Sequence, residues 1–185
     1  MNKAVFLDRD GTINFDKEYL FRKEDFEWLP GAIEALKYFQ ECGYKLIIIT
    51  NQSGIARGYY TEKDFNELSL WMSRELNKYG ITIDKIYFCP HYPQGSVSEY
   101  AVECECRKPK TLLFQRAVKE FDLDLEECVA IGDRLRDCAI CFQSKCLGIL
   151  IGTNESKQTI KAVMEGEFQN IRYAETLLDC VKILK

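Results

Sequence analysis

The stretch Val5-Phe6-Leu7-Asp8-Arg9-Asp10-Gly11-Thr12 decides the fold of this chain. Residues 4–7 form a short, continuous apolar run, which is typical of a strand buried on both faces of a parallel sheet. The run ends abruptly at two acids and a glycine, a usual turn residue. Because open α/β sheets bind ligands at the carboxyl ends of their strands, Asp8 and Asp10 are candidate site residues. A lone Asp-x-Asp-Gly also fits a solvated acidic turn, so this interpretation depends on the other strands.

Strands and helices alternate along the rest of the chain. Apolar runs predict further buried strands at residues 46–49, 86–88, 128–131 and 147–151. Apolar residues at helical spacing predict helices after Pro30-Gly31, after a capping box that begins at Thr61, over 112–121 and over 135–144. Residues 14–29 predict a loop or small flap, and the part after Gly152 predicts a polar helix, a short apolar segment near Ile171 and a last helix. The alternation predicts an α/β fold with a three-layer, Rossmann-like parallel sheet in one domain, residues 1–185.

Charge and composition exclude several classes of partner. The 185 residues carry a net charge of −4 without a cluster of Lys or Arg, which argues against a nucleic-acid partner. No apolar stretch approaches the ~20 residues that span a bilayer, and the amino terminus shows no signal-peptide pattern. We therefore expect a cytoplasmic protein that binds no membrane and acts as a monomer. Nine cysteines, an odd number, fit reduced thiols or metal ligands better than a full disulfide framework.

Polar residues end three of the predicted strands. Asp8 and Asp10 end the first, Thr50-Asn51 the second and Gly132-Asp133 the fourth. In a parallel sheet these ends share one edge and can converge on one ligand. Any one of them alone could simply cap the helix that follows. Together, with Asp137 four residues beyond Asp133, they favour a site for a metal ion and a phosphate.

These residue types can carry out phosphate ester hydrolysis. Clustered carboxylates suit Mg²⁺, which keeps waters and substrate phosphate as its other ligands. The ion offsets the charge that separates a carboxylate from a phosphate dianion, and Arg107-Lys108 adds cations. Asp8 could then attack phosphorus to form an aspartyl phosphate, while Asp10 protonates the leaving group and later activates water. Thr50 offers a hydroxyl and nearby backbone amides to the phosphate oxygens.

A second set of candidate ligands lies in the long predicted loop of residues 89–109. Cys89, His91, Cys104 and Cys106 supply three thiols and one imidazole, the number that a closed tetrahedral zinc site needs. Since four protein ligands leave no position for water, the zinc is predicted to be structural, holding the loop and aiming Arg107-Lys108. His91 is the chain's one histidine, which excludes Ser-His-Asp and histidine-phosphate mechanisms.

Cys138 and Cys141 form a Cys-x-x-Cys pair that invites a redox or second-metal interpretation. Both fall within a predicted helix, where free cysteines commonly behave as small buried hydrophobes. Packing is therefore the favoured account.

The residues quoted above resemble the four motifs of the haloacid dehalogenase-like phosphohydrolases, in the same order and over nearly the whole chain. The resemblance implies a haloacid dehalogenase-like fold in which Asp8 is the nucleophile and Asp10 the acid and base. It implies that Thr50 and Lys108 hold the phosphoryl group, and that Asp8, the backbone carbonyl of Asp10 and Asp133 hold Mg²⁺. The interval from Asp10 to Thr50 leaves no room for a cap domain, so we expect an edge that is open except for the zinc loop.

Residues 8–14, 50–58 and 89–95 are similar, more specifically, to the D-glycero-D-manno-heptose 1,7-bisphosphate 7-phosphatases. The sister histidinol-phosphate phosphatases share the metal pattern but usually have a shorter stretch than residues 92–103 between the ligand pairs. The resemblance implies a small phosphorylated sugar as substrate and the following contacts: Asp16, Lys17, Glu18, Tyr19, Thr50, Asn51, Gln52, Ser53, Arg107, Lys108 and Arg134. Two departures are Arg134, where the family often has Lys, and Lys110-Thr111-Leu112, where a Pro-Gly pair is common.

Other functions fit parts of the pattern. A receiver-like phosphoacceptor domain also gathers acids, Thr and Lys at one edge, but its acceptor Asp ends a middle strand, where this chain has Cys89. An inactive phosphosugar-binding relative is a further alternative, although every expected catalytic residue is present. The sequence leaves the anomer of the sugar open.

Overall fold

The computed structural model describes residues 1–152 and 154–185. Its strands are β1 (Ala4–Leu7), β2 (Lys45–Asn51), β3 (Lys85–Cys89), β4 (Val129–Gly132), β5 (Leu147–Ile151) and β6 (Ile171–Ala174). They form one sheet in the order β3-β2-β1-β4-β5-β6, and all neighbouring strands are parallel. Since β1 lies in the middle of this order, Asp8 emerges near the centre of the carboxyl edge.

Helices connect the strands. The α-helices are α1 (Ala32–Glu41), α2 (Ser53–Ala56), α3 (Glu62–Asn77), α4 (Leu112–Phe121), α5 (Lys157–Met164) and α6 (Cys180–Ile183), and 3₁₀ helices cover Lys23–Asp25, Leu125–Glu127 and Leu135–Phe142. No helix within the described residues is long and apolar enough to cross a membrane.

Alternating residues of each strand feed two hydrophobic cores, one on each face of the sheet. Val5 and Leu7 of β1 pack with Phe39 of α1 on one face. Ala4 and Phe6 pack on the other face, where the ring of Phe6 meets that of Phe114 of α4 edge to face, with 5.4 Å between centroids. Both faces of the strands are therefore buried, and the predicted three-layer α/β fold is confirmed.

Most predicted elements appear close to their expected positions. The capping box at Thr61 is confirmed, since its hydroxyl accepts a hydrogen bond from the N–H of Asp64 and the Asp64 carboxylate accepts one from the N–H of Thr61. The apolar segment near Ile171 is a sixth strand, β6, which was not predicted as one because only four residues pair with β5. The short helix α2 was not predicted.

The helix predicted over 135–144 is present, but it is of the 3₁₀ type and ends two residues earlier than expected. The structure has a 3₁₀ helix, Leu135–Phe142, in which Cys138 departs from helical geometry with φ −93° and ψ 17°. The carboxylate of Asp137 accepts a hydrogen bond from the N–H of Arg134 and also pairs with Lys108, which ties the first turn to the carboxyl edge. A regular α-helical continuation is interrupted directly after that turn.

Candidate active site

The carboxyl edge of the sheet brings the predicted nucleophile and the predicted lysine into direct contact. Asp8 follows β1 and is 8% exposed. The Lys108 ammonium lies 2.9 Å from Oδ1 of Asp8 and donates to the carbonyl oxygen of Ile49 at 2.6 Å. It also lies 2.7 Å from Oδ1 of Asp137, which is likewise buried. One buried cation thus partners two buried carboxylates, so Lys108 would keep one buried partner if either carboxylate were lost.

Burial and charge set the protonation of this pair. Burial raises the pKa of Asp8, Lys108 lowers it, and the neighbouring carboxylates of Asp137 and Asp10 raise it, so that the pKa lies at about 6. Burial disfavours the Lys108 ammonium, but Asp137 and Asp8 outweigh this effect and raise the pKa of Lys108. Lys108 therefore stays positively charged in contact with Asp8.

Asp133, at the end of β4, completes a group of three carboxylates. One oxygen each from Asp8, Asp133 and Asp137 lie within 4.8 Å of one another. Burial and the charges of Asp8 and Asp137 raise the pKa of Asp133 to about 7, while the Asn154 amide, which donates to Oδ2 of Asp133 at 2.7 Å, opposes them. Crowded hard oxygen donors that repel one another fit a divalent cation such as Mg²⁺. Gly11 allows this approach, because at its φ of +82° an added Cβ would overlap Oδ2 of Asp133.

The carboxylate of Asp10 is fixed by three neighbours. Arg9 is 1% exposed, and its Nη2 lies 2.8 Å from Oδ2 of Asp10. The amide of Asn14 donates to Oδ1 of Asp10 at 3.0 Å, and the amide of Gln52 donates to Oδ2 at 3.1 Å. Tyr60 in turn donates to Oε1 of Gln52 at 2.6 Å. Asp10 is therefore held in one orientation beside Asp8, as an acid and base must be.

Side chains at the end of β2 hydrogen-bond to Lys108 and to the predicted acid, Asp10. The side-chain amide of Asn51 donates to the carbonyl of Lys108 at 3.1 Å and accepts from its N–H at 3.0 Å. The amide of Gln52 donates to the hydroxyl of Thr50 at 3.0 Å as well as to Asp10. Asn51 and Gln52 were predicted as substrate contacts, and the structure shows that their amides are already engaged in positioning other residues.

A cavity of about 340 Å³ opens above these groups. Almost all of the predicted catalytic, Mg²⁺-binding and substrate-contacting residues line it, namely Asp8, Asp10, Asp16, Glu18, Tyr19, Thr50, Asn51, Gln52, Ser53, Arg107, Lys108, Asp133 and Arg134. Lys17 does not line this cavity, and it pairs with Glu27 at 3.0 Å. Tyr60 and Arg136 line it as well, although neither was predicted.

The four predicted zinc ligands come together in the loop between β3 and α4. The Sγ atom of Cys89 lies 3.6 Å from that of Cys104 and 2.9 Å from that of Cys106, and Nδ1 of His91 lies 3.3 Å from Sγ of Cys106. Thiolates about 2.3 Å from a tetrahedral zinc ion lie about 3.8 Å apart, which the Cys89–Cys104 distance approaches and the Cys89–Cys106 distance falls short of. Three thiols and one imidazole converging on one point are a donor set that fits zinc. Hydrogen bonding with Cys89, and also with His91 and Cys104, lowers the pKa of Cys106 to about 5 against the effect of burial, which favours the thiolate that binds metals.

This loop carries Arg107 to the cavity. Arg107 donates to the carbonyl oxygen of His91 at 3.3 Å, and its guanidinium lies 5.4 Å from the ring centroid of Tyr92. The guanidinium of Arg57 lies 4.1 Å from the centroid of the same ring. The position of Arg107 thus depends on residues 89–92, the segment that contains the predicted zinc ligands Cys89 and His91.

Comparison with known proteins agrees with this geometry. The haloacid dehalogenase-like hydrolase family matches residues 4–141, and a related HAD-hydrolase-like family matches residues 105–180. The chain belongs to the haloacid dehalogenase-like hydrolase family. It is therefore an enzyme, a phosphoric monoester hydrolase, and the resemblance drawn from its motifs is confirmed. Phosphatases of this family use Mg²⁺.

Relatives within the haloacid dehalogenase-like hydrolases carry a more specific name. The chain is 39% identical, over 100% of its length and 98% of the relative, to D-glycero-beta-D-manno-heptose-1,7-bisphosphate 7-phosphatase of Haemophilus influenzae. It is 48% identical, over 90% of its length and 87% of the relative, to the corresponding alpha enzyme of Campylobacter jejuni. It also resembles the solved D,D-heptose 1,7-bisphosphate phosphatase of B. bronchiseptica, which is complexed with magnesium and phosphate, at 30% identity and a TM-score of 0.82, over 100% and 98% of the two chains.

Proposed function

We propose that this protein is a Mg²⁺-dependent phosphatase that removes the 7-phosphate of D-glycero-D-manno-heptose 1,7-bisphosphate through an aspartyl-phosphate intermediate. The observation that carries the proposal is a single cavity with Asp8, Lys108 and Asp133 at the sheet edge and the guanidinium groups of Arg107 and Arg134 also in its lining. Such a cavity offers one anion site for reaction and a second for binding, which a bisphosphate requires. The names of the relatives support the same substrate.

The mechanism consists of two displacements at phosphorus and two proton transfers. Asp8 forms and loses the bond to phosphorus, and Asp10 transfers both protons. An oxygen of Asp8 attacks the phosphorus of the 7-phosphate, and the bond from phosphorus to the sugar oxygen breaks. Asp10 gives its proton to that leaving oxygen. Water then attacks the aspartyl phosphate, Asp10 takes its proton, and phosphate and free Asp8 result. Asp8, the Asp10 carbonyl and Asp133 would hold Mg²⁺, which would supply charge neutralisation between carboxylate and phosphate.

Lys108 and Thr50 would hold the phosphoryl group during both steps. Lys108 already contacts Asp8, so its ammonium is in place for oxygens that become bonded to Asp8. Its backbone is fixed by the amide of Asn51, and its charge is maintained by Asp137. We propose that Asn51 and Gln52 act on the substrate indirectly, by fixing Lys108 and Asp10.

We further propose that zinc occupies the site formed by Cys89, His91, Cys104 and Cys106. Four protein ligands close the coordination shell, so the ion would act on structure and not on the substrate. Its role would be to hold the loop that carries Arg107 and Lys108 to the cavity.

Histidinol phosphate is the second candidate substrate, because its phosphatases share the metal pattern. Its free amine is a cation, however, and the cavity lining includes the guanidinium groups of Arg107 and Arg134 in addition to Lys108. Cations in that position favour a second anionic group over an amine.

An assay of phosphate release tests the proposal. The purified protein with Mg²⁺ would be offered both heptose 1,7-bisphosphate anomers, a heptose monophosphate and histidinol phosphate, and ³¹P NMR would identify which phosphate leaves. We expect loss of the 7-phosphate and a much poorer reaction with histidinol phosphate. Arg107→Ala should lower kcat/KM for the bisphosphate by at least about tenfold, equivalent to ~1.4 kcal/mol. Arg116→Ala, an exposed arginine on α4, is the matched control. Preference for histidinol phosphate would contradict the proposal.

A further inference from the structure

Arg136 is a cation of the cavity that the motifs do not account for. Its guanidinium shares the cavity lining with Arg107, although the two residues come from different loops. Arg136 is exposed and makes no ion pair with any residue of 1–152 or 154–185. Burial lowers the pKa of Arg107, and the charge of Arg136 is the next largest cause of that lowering. Two guanidinium groups that repel one another therefore line the same cavity.

Hydrogen bonds to the carboxylates of Asp137 and Glu155 fix the backbone that precedes Arg136. Asp137 accepts a hydrogen bond from the N–H of Arg134 at 3.0 Å, and Glu155 accepts one from the N–H of Leu135 at 2.9 Å. Burial opposes ionisation of Glu155, but its bonds to the N–H groups of Leu135 and Ser156, and then the charges of Arg134 and Arg136, lower its pKa. This turn holds Arg136 beside the cavity, and its acids accept main-chain hydrogen bonds.

Two like charges beside one another are unfavourable until an anion enters between them. Arginine is suited to bind such an anion, because its planar fork can donate two parallel hydrogen bonds to phosphate oxygens. The reacting phosphate has its own partners, Lys108 and the carboxylate-bound metal of the proposed mechanism. The pair formed by Arg107 and Arg136 is thus available for a second phosphate on the same molecule.

We propose that Arg136 and Arg107 form a clamp for the phosphate that is not transferred, so that Arg136 is a specificity-determining residue for bisphosphates. This inference rests on the proposed function and assigns a part of the substrate to a residue outside the family motifs. Because the clamp contacts the substrate away from the reacting phosphorus, it should act mainly on substrate binding.

Steady-state kinetics of Arg136→Ala test the clamp. With heptose 1,7-bisphosphate we expect KM to rise by at least about fivefold while kcat changes by less than about twofold, the pattern of lost binding. With a heptose monophosphate that lacks the second phosphate, the loss in kcat/KM should be much smaller. Inhibition by the product, heptose 1-phosphate, should weaken in parallel with KM. Arg136→Lys should restore part of the binding, because it keeps the charge but loses the planar fork. Arg116→Ala should match the wild type on every substrate.

The outcomes separate this inference from the proposed function. If the wild type prefers the bisphosphate and Arg136→Ala keeps that preference, the clamp is wrong and the function stands. Equal losses on bisphosphate and monophosphate would also overturn the clamp, since Arg136 would then serve the reacting phosphate or the fold. A wild type that does not distinguish bisphosphate from monophosphate would overturn both.

Discussion

The molecule holds two candidate metal sites that differ in how they are built. The carboxylate site, formed by Asp8, Asp133 and Asp137, lies at the ends of central strands and on the turn that follows β4, between the two hydrophobic cores. The thiol and imidazole site lies in the loop of residues 89–109, and its one ligand on a strand is Cys89. The first contains its own cation, Lys108, whereas the second has no cationic side chain in contact with its thiols among the described residues.

This difference predicts different responses to loss of the metal. The carboxylate site is positioned by the sheet and neutralised in part by Lys108, so the fold should survive without Mg²⁺ while the chemistry stops. The loop has few buried apolar side chains, and four ligand atoms from its two ends converge on one point. Since metal binding and local folding are coupled in such sites, removal of zinc should loosen the loop and, through it, Arg107.

Asp8→Asn should have the largest effect of any change considered. The amide keeps the size of the carboxylate but cannot attack phosphorus, so Mg²⁺-dependent turnover should fall by at least about 10³-fold. The melting temperature should stay close to that of the wild type, because the substitution removes a buried charge at a site ordered by the sheet. Turnover near the wild-type value, with contaminating phosphatase excluded, would refute the covalent mechanism.

Gly11→Ala tests whether the carboxylate site depends on close approach of the backbone. An added Cβ would overlap Oδ2 of Asp133, so we expect the Mg²⁺ concentration for half-maximal activity to rise by at least about tenfold. Gly80→Ala is the matched control, because Gly80 also has a positive φ, +75°, but an added Cβ would meet nothing within 4 Å. Both variants should lose about 1 kcal/mol of stability from backbone strain, and only Gly11→Ala should change the response to Mg²⁺. Equal Mg²⁺ responses would mean that Asp133 adjusts without cost.

Cys104→Ser tests the opposite behaviour at the second site. Wild-type protein should contain about one zinc ion per chain, and the variant should lose both zinc and melting temperature, since the serine hydroxyl is a poor zinc ligand. Activity should fall less than in Asp8→Asn, because the sheet still positions the carboxylates. Cys42→Ser, a cysteine outside the cluster, should change neither zinc content nor activity. Fully active protein that carries no zinc would contradict a structural role for the ion.

The same contrast explains what could be predicted from the sequence. Asp8 and Asp133 were predictable because each directly follows an apolar run, and parallel strands align their ends. Cys104 and Cys106 were predictable as ligands because few roles other than metal binding suit so many thiols in a polar loop. In both cases the chemical signal is local in sequence.

Contacts between distant segments were not predictable. Asn154 donates to Asp133 across 21 positions, and Arg136 lines the cavity from a 3₁₀ helix. The Gln52 amide was assigned to the substrate by resemblance, while the structure engages it with Asp10 and Thr50. A single sequence carries no sign of these pairings, since each depends on how loops are brought together by the sheet. The prediction of one domain spanning residues 1–185 stays a prediction.

Tyr60→Phe should have the smallest effect. It tests the orientation of Asp10, which depends on hydrogen bonds and not on either metal site. The Tyr60 hydroxyl is 2.6 Å from Oε1 of Gln52, whose amide nitrogen holds Asp10. Without that donor, Oε1 keeps a 3.3 Å bond from Arg9, so the amide is less firmly oriented but not released. A neutral hydrogen bond contributes about 1 kcal/mol, which corresponds to a loss of about fivefold in kcat if all of it is expressed in the reaction.

KM, zinc content and the Mg²⁺ response of Tyr60→Phe should equal those of the wild type, because Asp10 would act on the leaving group and on water and Tyr60 touches neither metal site. Tyr79→Phe, which removes an exposed hydroxyl, controls for loss of the group itself. A rise in KM with unchanged kcat would assign Tyr60 to the substrate, whose cavity it also lines. A change in the Mg²⁺ response would mean that the hydrogen bonds around Asp10 are coupled to the carboxylate site. The orientation of Asp10 would then depend on the metal as well.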